Sequence, residues 1–422
     1  MDSVSYWQRT SNQVTLSTDL PPTADVAVVG AGLLGAATSY WLARAGLTVV
    51  LLERATPAFG ATGRNGGIVS VGPAEAYPAA IMRLGHETAR AIWALTLENR
   101  ALLRQVLAEE GIACDYREPG HLSLALGEDQ LASQSEIVAA LQADDFTAIL
   151  LDREEAQALI DTPLGPEIAG GKFILENGLV HSARLVQGLV GAAQRHGARA
   201  CLATVMQVLP AGPGVLVRTL QGNLHVGTVI IATNAWIGEL LPALAGLITP
   251  VRGQALAYAP IAPVFTTGMS VAITPTGEYW QQTIDGSIVL GGCRAVAPGQ
   301  DVGIRESQPT TEVQAALEQV IPRLFPQLGR LRVQQRWAGL MAFTPDYLPI
   351  ADRAPGMPGV WVAGGFSGHG LPFGMRLGQL MCEAITSGVA PDTLAHLRLH
   401  RPTLIQAWAA ETPRHKWTRV LA

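Results

Sequence analysis

Residues 25–53 constrain this chain more than any other stretch. They read DVAVVGAGLLGAATSYWLARAGLTVVLLE. An apolar run at 26–29 meets glycines at 30, 32 and 35, then a helical stretch to about residue 45 and a turn at Gly46. A second apolar run at 48–52 ends in Glu53. Strand, glycine turn, helix, strand and acid make up a dinucleotide-binding βαβ unit. Gly30 permits the tight turn, Gly32 lets the backbone approach a pyrophosphate, and Gly35 lets helix and strand close up. Ala31, Leu33 and Leu34 complete the turn, where the helix N-terminus offers amides and a positive dipole end to phosphate. Glu53, 18 residues past Gly35, stands where an acid accepts ribose hydroxyls, with Arg54 beside it. The spacing alone says little: with 45 glycines in 422 residues, it arises by chance about half a time per chain. The order of elements around it carries the inference.

The length allows two large layers of structure, and 48% hydrophobic with 15% charged residues describes a well-buried globular enzyme. A net charge of −5 argues against a nucleic-acid surface. The four cysteines (Cys114, Cys201, Cys293, Cys382) are scattered, which points away from a disulfide framework or a metal site and towards a reducing cytoplasm. Residues 26–43 carry no charge, but their glycines and strand-to-helix break fit the nucleotide turn better than an integral membrane span. The first 22 residues are polar, unlike a signal peptide. They read as a surface arm, with Tyr6 and Trp7 as anchors.

A second glycine loop, FGATGRNGGIVS at 59–70, follows Glu53 directly. Its exposed amides suit close approach to a large flat ligand, and Arg64 suits a phosphate. Apolar spacing predicts one helix over 81–111, further helices at 131–141, 153–159, 182–196 (Ser182 as N-cap) and 311–324, and strands at 200–209, 214–219 and 224–232. The last of these ends IIATNAW, a small-residue crossing suited to pass beneath a cofactor. Alternating runs at 255–259, 271–274, 278–282 and 287–291 predict an antiparallel sheet, and 331–341 a further strand. Near the end, a strand at 360–363 runs into GGFSGHGLPFG and a helix from about Pro372 to residue 385, with Pro372 in its first turn.

Two glycine turns feeding two helix N-termini suit a redox flavin. Such a group needs a pyrophosphate cradle, amides near the edge of the ring where charge builds on reduction, and a dry face for the substrate. The first turn meets the first need, and residues 364–371 the second. Tyr279 and Trp280 are candidates to roof the ring, and His369, between two glycines, to assist proton movement. His181, His196, His225, His400 and His415 read as surface or structural. No G-x-S-x-G, H-E-x-x-H or P-loop lysine is present.

Taken in order, GAGLLG with Glu53-Arg54, GATGRNGG, IATNAW, VRGQ, WAGLMAFTPDYLPI and GGFSGHG resemble the D-amino-acid oxidase-like FAD-dependent oxidoreductases over nearly the whole chain. That family includes glycine, sarcosine and D-amino-acid oxidases and dehydrogenases and γ-glutamylputrescine-type amine oxidases. The resemblance implies an α/β fold, with a Rossmann-like FAD domain assembled from 24–80, 151–245 and 332–400. It also implies a substrate domain with a large antiparallel sheet from 81–150 and 246–331, between an arm at 1–23 and a tail at 401–422. It implies oxidation of the C–N bond of a small amine or amino acid to an imine by hydride transfer to flavin N5, then hydrolysis, with oxygen or a redox carrier as acceptor. Carried over by motif, Gly30, Gly32, Gly35 and Glu53 would bind the ADP half, and Ala61, Thr62, Arg64, Asn65, Gly66, Gly67 and Ile68 the pyrophosphate and ring. Val205 would lie near adenine, and Ala232, Thr233, Asn234, Trp236 and Gly339 along the cofactor. Gly365, Phe366, Ser367, Gly368, His369, Gly370 and Leu371 would hold the pyrimidine edge.

The departures carry information. The arginine that holds the substrate carboxylate in glycine- and D-amino-acid-oxidising members is Met341 here, and the corresponding lysine of monomeric sarcosine oxidases is Pro372. The sarcosine oxidases' flavin-linking cysteine matches the stretch at Gly339, so non-covalent FAD is expected; their oxygen-activating lysine matches Val289. A carboxylate buried without a charged partner costs several kcal/mol. The expected substrate is therefore an amine whose carboxylate, if any, lies away from the ring, with Arg252, Arg294 and Arg336 as substitute anchors. Rival readings are an NAD(P)H-dependent reductase or hydroxylase, a flavin-holding subunit of a hetero-oligomeric amino-acid dehydrogenase, and a silent ligand-binding protein. The sequence leaves the oligomeric state open.

Overall fold

A computed structural model describes residues 3–411 apart from Gln13. His415 and most of the tail lie outside the described residues. Two eight-stranded sheets organise the chain. In the first, the spatial order is Ile350–Arg353, Val360–Gly364, Gly222–Ile231, Thr23–Val29, Val49–Glu53 and Arg199–Leu202, with the hairpin Val205–Ala211/Gly214–Thr219 folded back on Gly222–Ile231. Its centre is parallel and its strands are buried apolar runs, as a sheet covered on both faces requires. The second sheet runs Val333–Phe343, Thr249–Tyr258, Ile288–Gly292, Glu278–Gln282, Gly268–Val271, His121–Leu126, Ile168–Ile174 and Ile149–Asp152. Every pair in it is antiparallel except Gly268–Val271 with His121–Leu126. Strands Ile168–Ile174 and Val333–Phe343 lie in this second sheet, although the sequence blocks that contain them were read with the first.

Local chemistry corrects several element boundaries. The helix expected over 81–111 is two, Tyr77–Leu84 and His86–Glu110. Gly85 at φ 82° joins them, a conformation that costs glycine little. The strand at 200–209 breaks into Arg199–Leu202, in the parallel sheet, and Val205–Ala211, in the hairpin. The N-cap of helix Ser182–Arg195 is His181, whose Nδ1 accepts the Arg184 amide at 3.3 Å; Ser182 is the first helical residue. The last long helix is Gly374–Ser387, so Pro372 sits in the turn ahead of it. The arm docks as expected: Tyr6 and Trp7, on the short helix Tyr6–Arg9, are buried, and the Trp7 indole donates to the Asn65 carbonyl at 2.6 Å.

The two helices that begin at the two glycine turns, Leu33–Arg44 and Gly374–Ser387, lie against each other. Glycines make this approach possible. A Cβ on Gly374 would meet the Leu33 side chain at 2.6 Å, and one on Gly378 would meet Ala37 Cβ and the Thr38 backbone nitrogen at 2.9 Å. Gly35 plays the matching part against the first strand, where a Cβ would fall 1.8 Å from the Gly30 carbonyl oxygen. Beside the second turn, the Thr344-Pro345-Asp346 bend is pinned by a buried ion pair. Arg401 Nε donates to Asp346 Oδ2 at 2.6 Å, and the Thr403 hydroxyl donates to the same oxygen at 2.8 Å. Burial alone would push the Asp346 carboxyl up, but Arg401 holds it below the usual range.

Helix propensity alone would make Gly378→Ala stabilising by up to about 1 kcal/mol. Overpacking against Thr38 should reverse that sign. Urea unfolding is expected to show a net loss of about 1–3 kcal/mol; a net gain would mean the helices are not this close.

Candidate active site

Both glycine turns border one continuous cavity of ≈ 1260 Å³ between the two sheets. At one end, Gly30, Gly32, Leu33, Leu34, Glu53, Arg54, Val205, Ala232, Thr233, Asn234 and Trp236 form the wall. Gly30 adopts φ 104°, and a Cβ there would fall 2.9 Å from the Ala232 carbonyl oxygen. Gly32 differs. Its φ is −77°, and an added Cβ would meet only Thr62 Oγ1 at an ordinary 3.5 Å. Neither backbone nor packing demands glycine at 32, so the space it leaves in the wall suits a ligand's close approach. Ala31 is wholly buried and does not border the cavity; its amide donates to Glu53 Oε2 at 2.9 Å. Burial raises the Glu53 pKa, against the lowering effect of the Ala31 and Ala55 amides. The Leu33 amide donates to the Thr62 hydroxyl at 3.2 Å, which ties the glycine loop to the first turn. The Arg54 guanidinium lies 4.9 Å from the Trp236 ring.

The middle is walled by Ala61, Thr62, Arg64, Asn65, Gly66, Gly67 and Ile68 on one side and by Tyr279, Gly339 and Met341 of the second sheet on the other. Gly66 and Gly67 are required by the protein itself. A Cβ at 66 would strike the Tyr279 ring at 2.6 Å, and one at 67 the Val180 carbonyl oxygen and Gln281 Nε2 at 2.4 Å. Gln281 Nε2 donates to both of their carbonyls, at 2.7 and 2.9 Å. Arg64 departs from the expectation of a phosphate partner. Its Nε donates to the Phe59 carbonyl at 2.9 Å and its Nη1 to the Ala338 carbonyl at 2.8 Å, which clamps the loop to the second sheet. Gly339 makes room for it, because a Cβ there would lie 2.8 Å from Arg64 Cβ.

The second turn supplies Phe366, Ser367, Gly368, His369, Gly370 and Leu371. Gly365 does not border the cavity. It bends the chain at φ 73° and donates its amide to Asn234 Oδ1 at 3.0 Å, joining the second turn to the crossing strand. The following helix end is not open as expected: Asn99 Oδ1 accepts the Met375 and Arg376 amides at 2.9 and 3.0 Å, and Asn99 Nδ2 donates to the Leu371 carbonyl at 3.0 Å. Asn99, from helix His86–Glu110, is thus a positioning residue that sequence reading missed, since nothing marks one asparagine inside a long helix. His369 Nδ1 and Thr233 Oγ1 are buried, belong to residues of the wall, and have no hydrogen-bond partner among the described residues. Burial lowers the His369 pKa to about 4, although a backbone hydrogen bond at Ser367 acts the other way. The imidazole is therefore neutral near pH 7.

The pleat of the second sheet sorts the substrate candidates. Tyr279 faces the cavity; Trp280, next in the strand, points to the opposite face, where it packs against Phe265 and Phe325 in a separate core. Arg252 also faces away. It pairs with Asp301 through Nη2 at 2.7 Å and Nε at 2.8 Å. Arg336 does likewise, donating to Glu318 at 2.7 Å. Trp280, Arg252 and Arg336 are therefore withdrawn as substrate contacts. Arg294 does border the cavity, with its guanidinium 5.7 Å from the Phe343 ring and Nη1 donating to the Gln300 carbonyl at 2.8 Å. Val289, wholly buried, does not border it. None of the four cysteines does either. Sequence reading also missed His121, Ser123, Lys172 and Ser270, which line the far end. The signal was available: Lys172 is one of only two lysines in the chain and stands in an otherwise apolar, glycine-rich strand.

Among the described residues, no helix is long and apolar enough to cross a membrane. The family model described as "FAD dependent oxidoreductase" matches residues 25–384. The gamma-glutamylputrescine oxidoreductase of Escherichia coli K12 is 27% identical over 403 residues, which cover 90% of this chain and 88% of that protein. The glycine oxidase of Pseudomonas aeruginosa PAO1 is 30% identical over 373 residues, 87% and 95% of the two chains. The crystal structure of glycine oxidase from Geobacillus kaustophilus superposes with a TM-score of 0.78 at 22% identity, covering 90% of this chain and 99% of that one. With both glycine turns walling one cavity and the family match running through each of them, the chain belongs to the FAD-dependent oxidoreductases of the D-amino-acid oxidase-like family.

Proposed function

We propose that this protein oxidises the C–N bond of a small amine or amino acid to an imine, which water then hydrolyses to a carbonyl compound. The observation that carries the reading is the single cavity joining the two glycine turns beneath the face of the second sheet. Its donors and spaces fit a long dinucleotide with a flat ring: the opening at Gly32, the acid Glu53, and the unpartnered Thr233 hydroxyl and His369 nitrogen along the wall. FAD, when bound, supplies the electron sink that takes a hydride from the carbon next to nitrogen. The chain's own part is positioning. Glu53 and the first turn would hold the adenosine end, and the 366–371 turn would lie along the ring edge. Tyr279 and Met341, which line the cavity, would exclude water from the reacting face. The proton lost from nitrogen needs an acceptor, and His369, neutral and carrying an unpartnered nitrogen, suits that role. The absence of a cavity-lining cysteine among the described residues supports a non-covalent cofactor. The named activities of the relatives, on glycine and on gamma-glutamylputrescine, support the substrate class without choosing within it.

The direct test is anaerobic mixing of the yellow protein with amines and amino acids. Loss of the oxidised-flavin absorbance, with recovery on admitting oxygen or a quinone, is the expected result. Bleaching by NADPH alone would favour a reductase instead. Gly32→Val should leave the melting temperature nearly unchanged while weakening FAD retention by about tenfold or more, because the added side chain enters ligand space and not protein. His369→Gln should lower kcat on the order of 10²-fold. Because its neutral form already prevails, wild-type kcat should show no break between about pH 6 and 7, where a free histidine titrates. A break there that the variant abolishes would show His369 titrating as an ordinary imidazole and not held neutral by burial, whereas an unchanged kcat in His369→Gln would remove it from the role.

A further inference from the structure

The cavity does not end at Tyr279. Along one row of the second sheet, strand pairing sets Tyr279 beside Ser270, Ser270 beside Ser123, and Ser123 beside Lys172, and all four residues border the cavity. Three strand spacings separate the first from the last, about 14 Å between main chains. The row changes character along its length. Near the glycine loop it is aromatic; at the far end it is polar and positively charged. Ile174, two residues beyond Lys172 on the same face, and Ile137 line the space beside it.

The far end is built to donate. His121 is buried and neutral, its pKa lowered to about 3 by burial and then by the neighbouring Lys172 charge. Its Nδ1 has no partner among the described residues, and its Nε2 shares a hydrogen bond with Ser270 Oγ at 2.8 Å. Ser270 in turn donates to Ser123 Oγ at 2.9 Å. Ser123, which accepts from Ser270, retains its own hydroxyl hydrogen to donate, and strand pairing sets it beside Lys172. Lys172 itself makes no ion pair or hydrogen bond among the described residues, and only burial acts on its ionisation, lowering its pKa. A half-buried lysine and a hydroxyl with a hydrogen to donate, without an ion pair to a carboxylate among the described residues, suit one anion.

We propose that Lys172 and Ser123 receive a carboxylate of the substrate, so that the substrate is an amine whose carboxylate lies several bonds beyond the oxidised carbon. This rests on the cavity being the site of amine oxidation. It also accounts for Met341 and Pro372 where relatives carry cationic anchors: the carboxylate is held at the other end of the cavity. An α-amino acid held by its carboxylate at Lys172 would leave its Cα far from Tyr279.

The test uses the FAD-loaded protein and simple probes. Hexanoate binding, followed by calorimetry and by perturbation of the flavin spectrum, is expected in the wild type. It should weaken by about tenfold or more in Lys172→Met and less in Lys172→Arg, with Ser123→Ala in between. Hexanamide should bind all variants alike. Turnover should favour 6-aminohexanoate over hexylamine in the wild type, and Lys172→Met should abolish that preference through KM. Retention of the flavin spectrum in Lys172→Met and Lys172→Arg verifies that both fold. Equal hexanoate affinity in wild type and Lys172→Met would overturn the receptor, as would a preference for 6-aminohexanoate that survives the substitution. Lys172-dependent hexanoate binding, with no amine able to bleach the flavin, would uphold the receptor while refuting amine oxidation.

Discussion

The close contact between helices Leu33–Arg44 and Gly374–Ser387 is the constraint on which the rest depends. Two turns more than 300 residues apart can wall one cavity only if the helices they feed lie almost backbone to backbone. Gly374 against Leu33 and Gly378 against Ala37 and Thr38 allow this, because any side chain there would need the space the neighbouring helix occupies. The contact has a third fixture. Asn99 caps the incoming helix and holds the Leu371 carbonyl, so the turn is fixed in position as well as in shape.

Glycine serves three different purposes in this cavity. At Gly30 it provides a positive φ and a close pass to Ala232. At Gly66 and Gly67 it makes room for Tyr279, Val180 and Gln281, so those glycines are explained by the protein alone. At Gly32 neither reason applies, and the space it leaves suits a ligand's close approach. A motif scan weighs these positions equally. What a Cβ would meet separates them.

The second sheet acts as a sorter. Side chains alternate between faces, so adjacent residues have unrelated fates: Tyr279 reaches the cavity and Trp280 the core under helix Thr311–Leu324. The same parity sends Arg252 and Arg336 to buried or half-buried acids on the far side and brings Lys172 into the cavity. Choosing a carboxylate anchor from a list of arginines could not succeed without knowing this parity. The anchor proposed, Lys172, lies on a strand of the second sheet that faces the cavity.

What the sequence by itself determined was local: the βαβ unit at 25–53, the glycine loop at 59–70, the turn at 364–371, and the family these motifs spell when read in order. Those features follow from φ freedom, apolar period and capping, which act over a few residues. Helix ends were read less well, because Gly85, His181 and Asn99 take their roles from neighbours and not from their own type. Only the tertiary structure decided which face each strand presents, which cations already hold an acid, and that the two turns share one cavity. Register and ion pairing join residues far apart in the chain, and no local pattern records which distant partner a side chain will find.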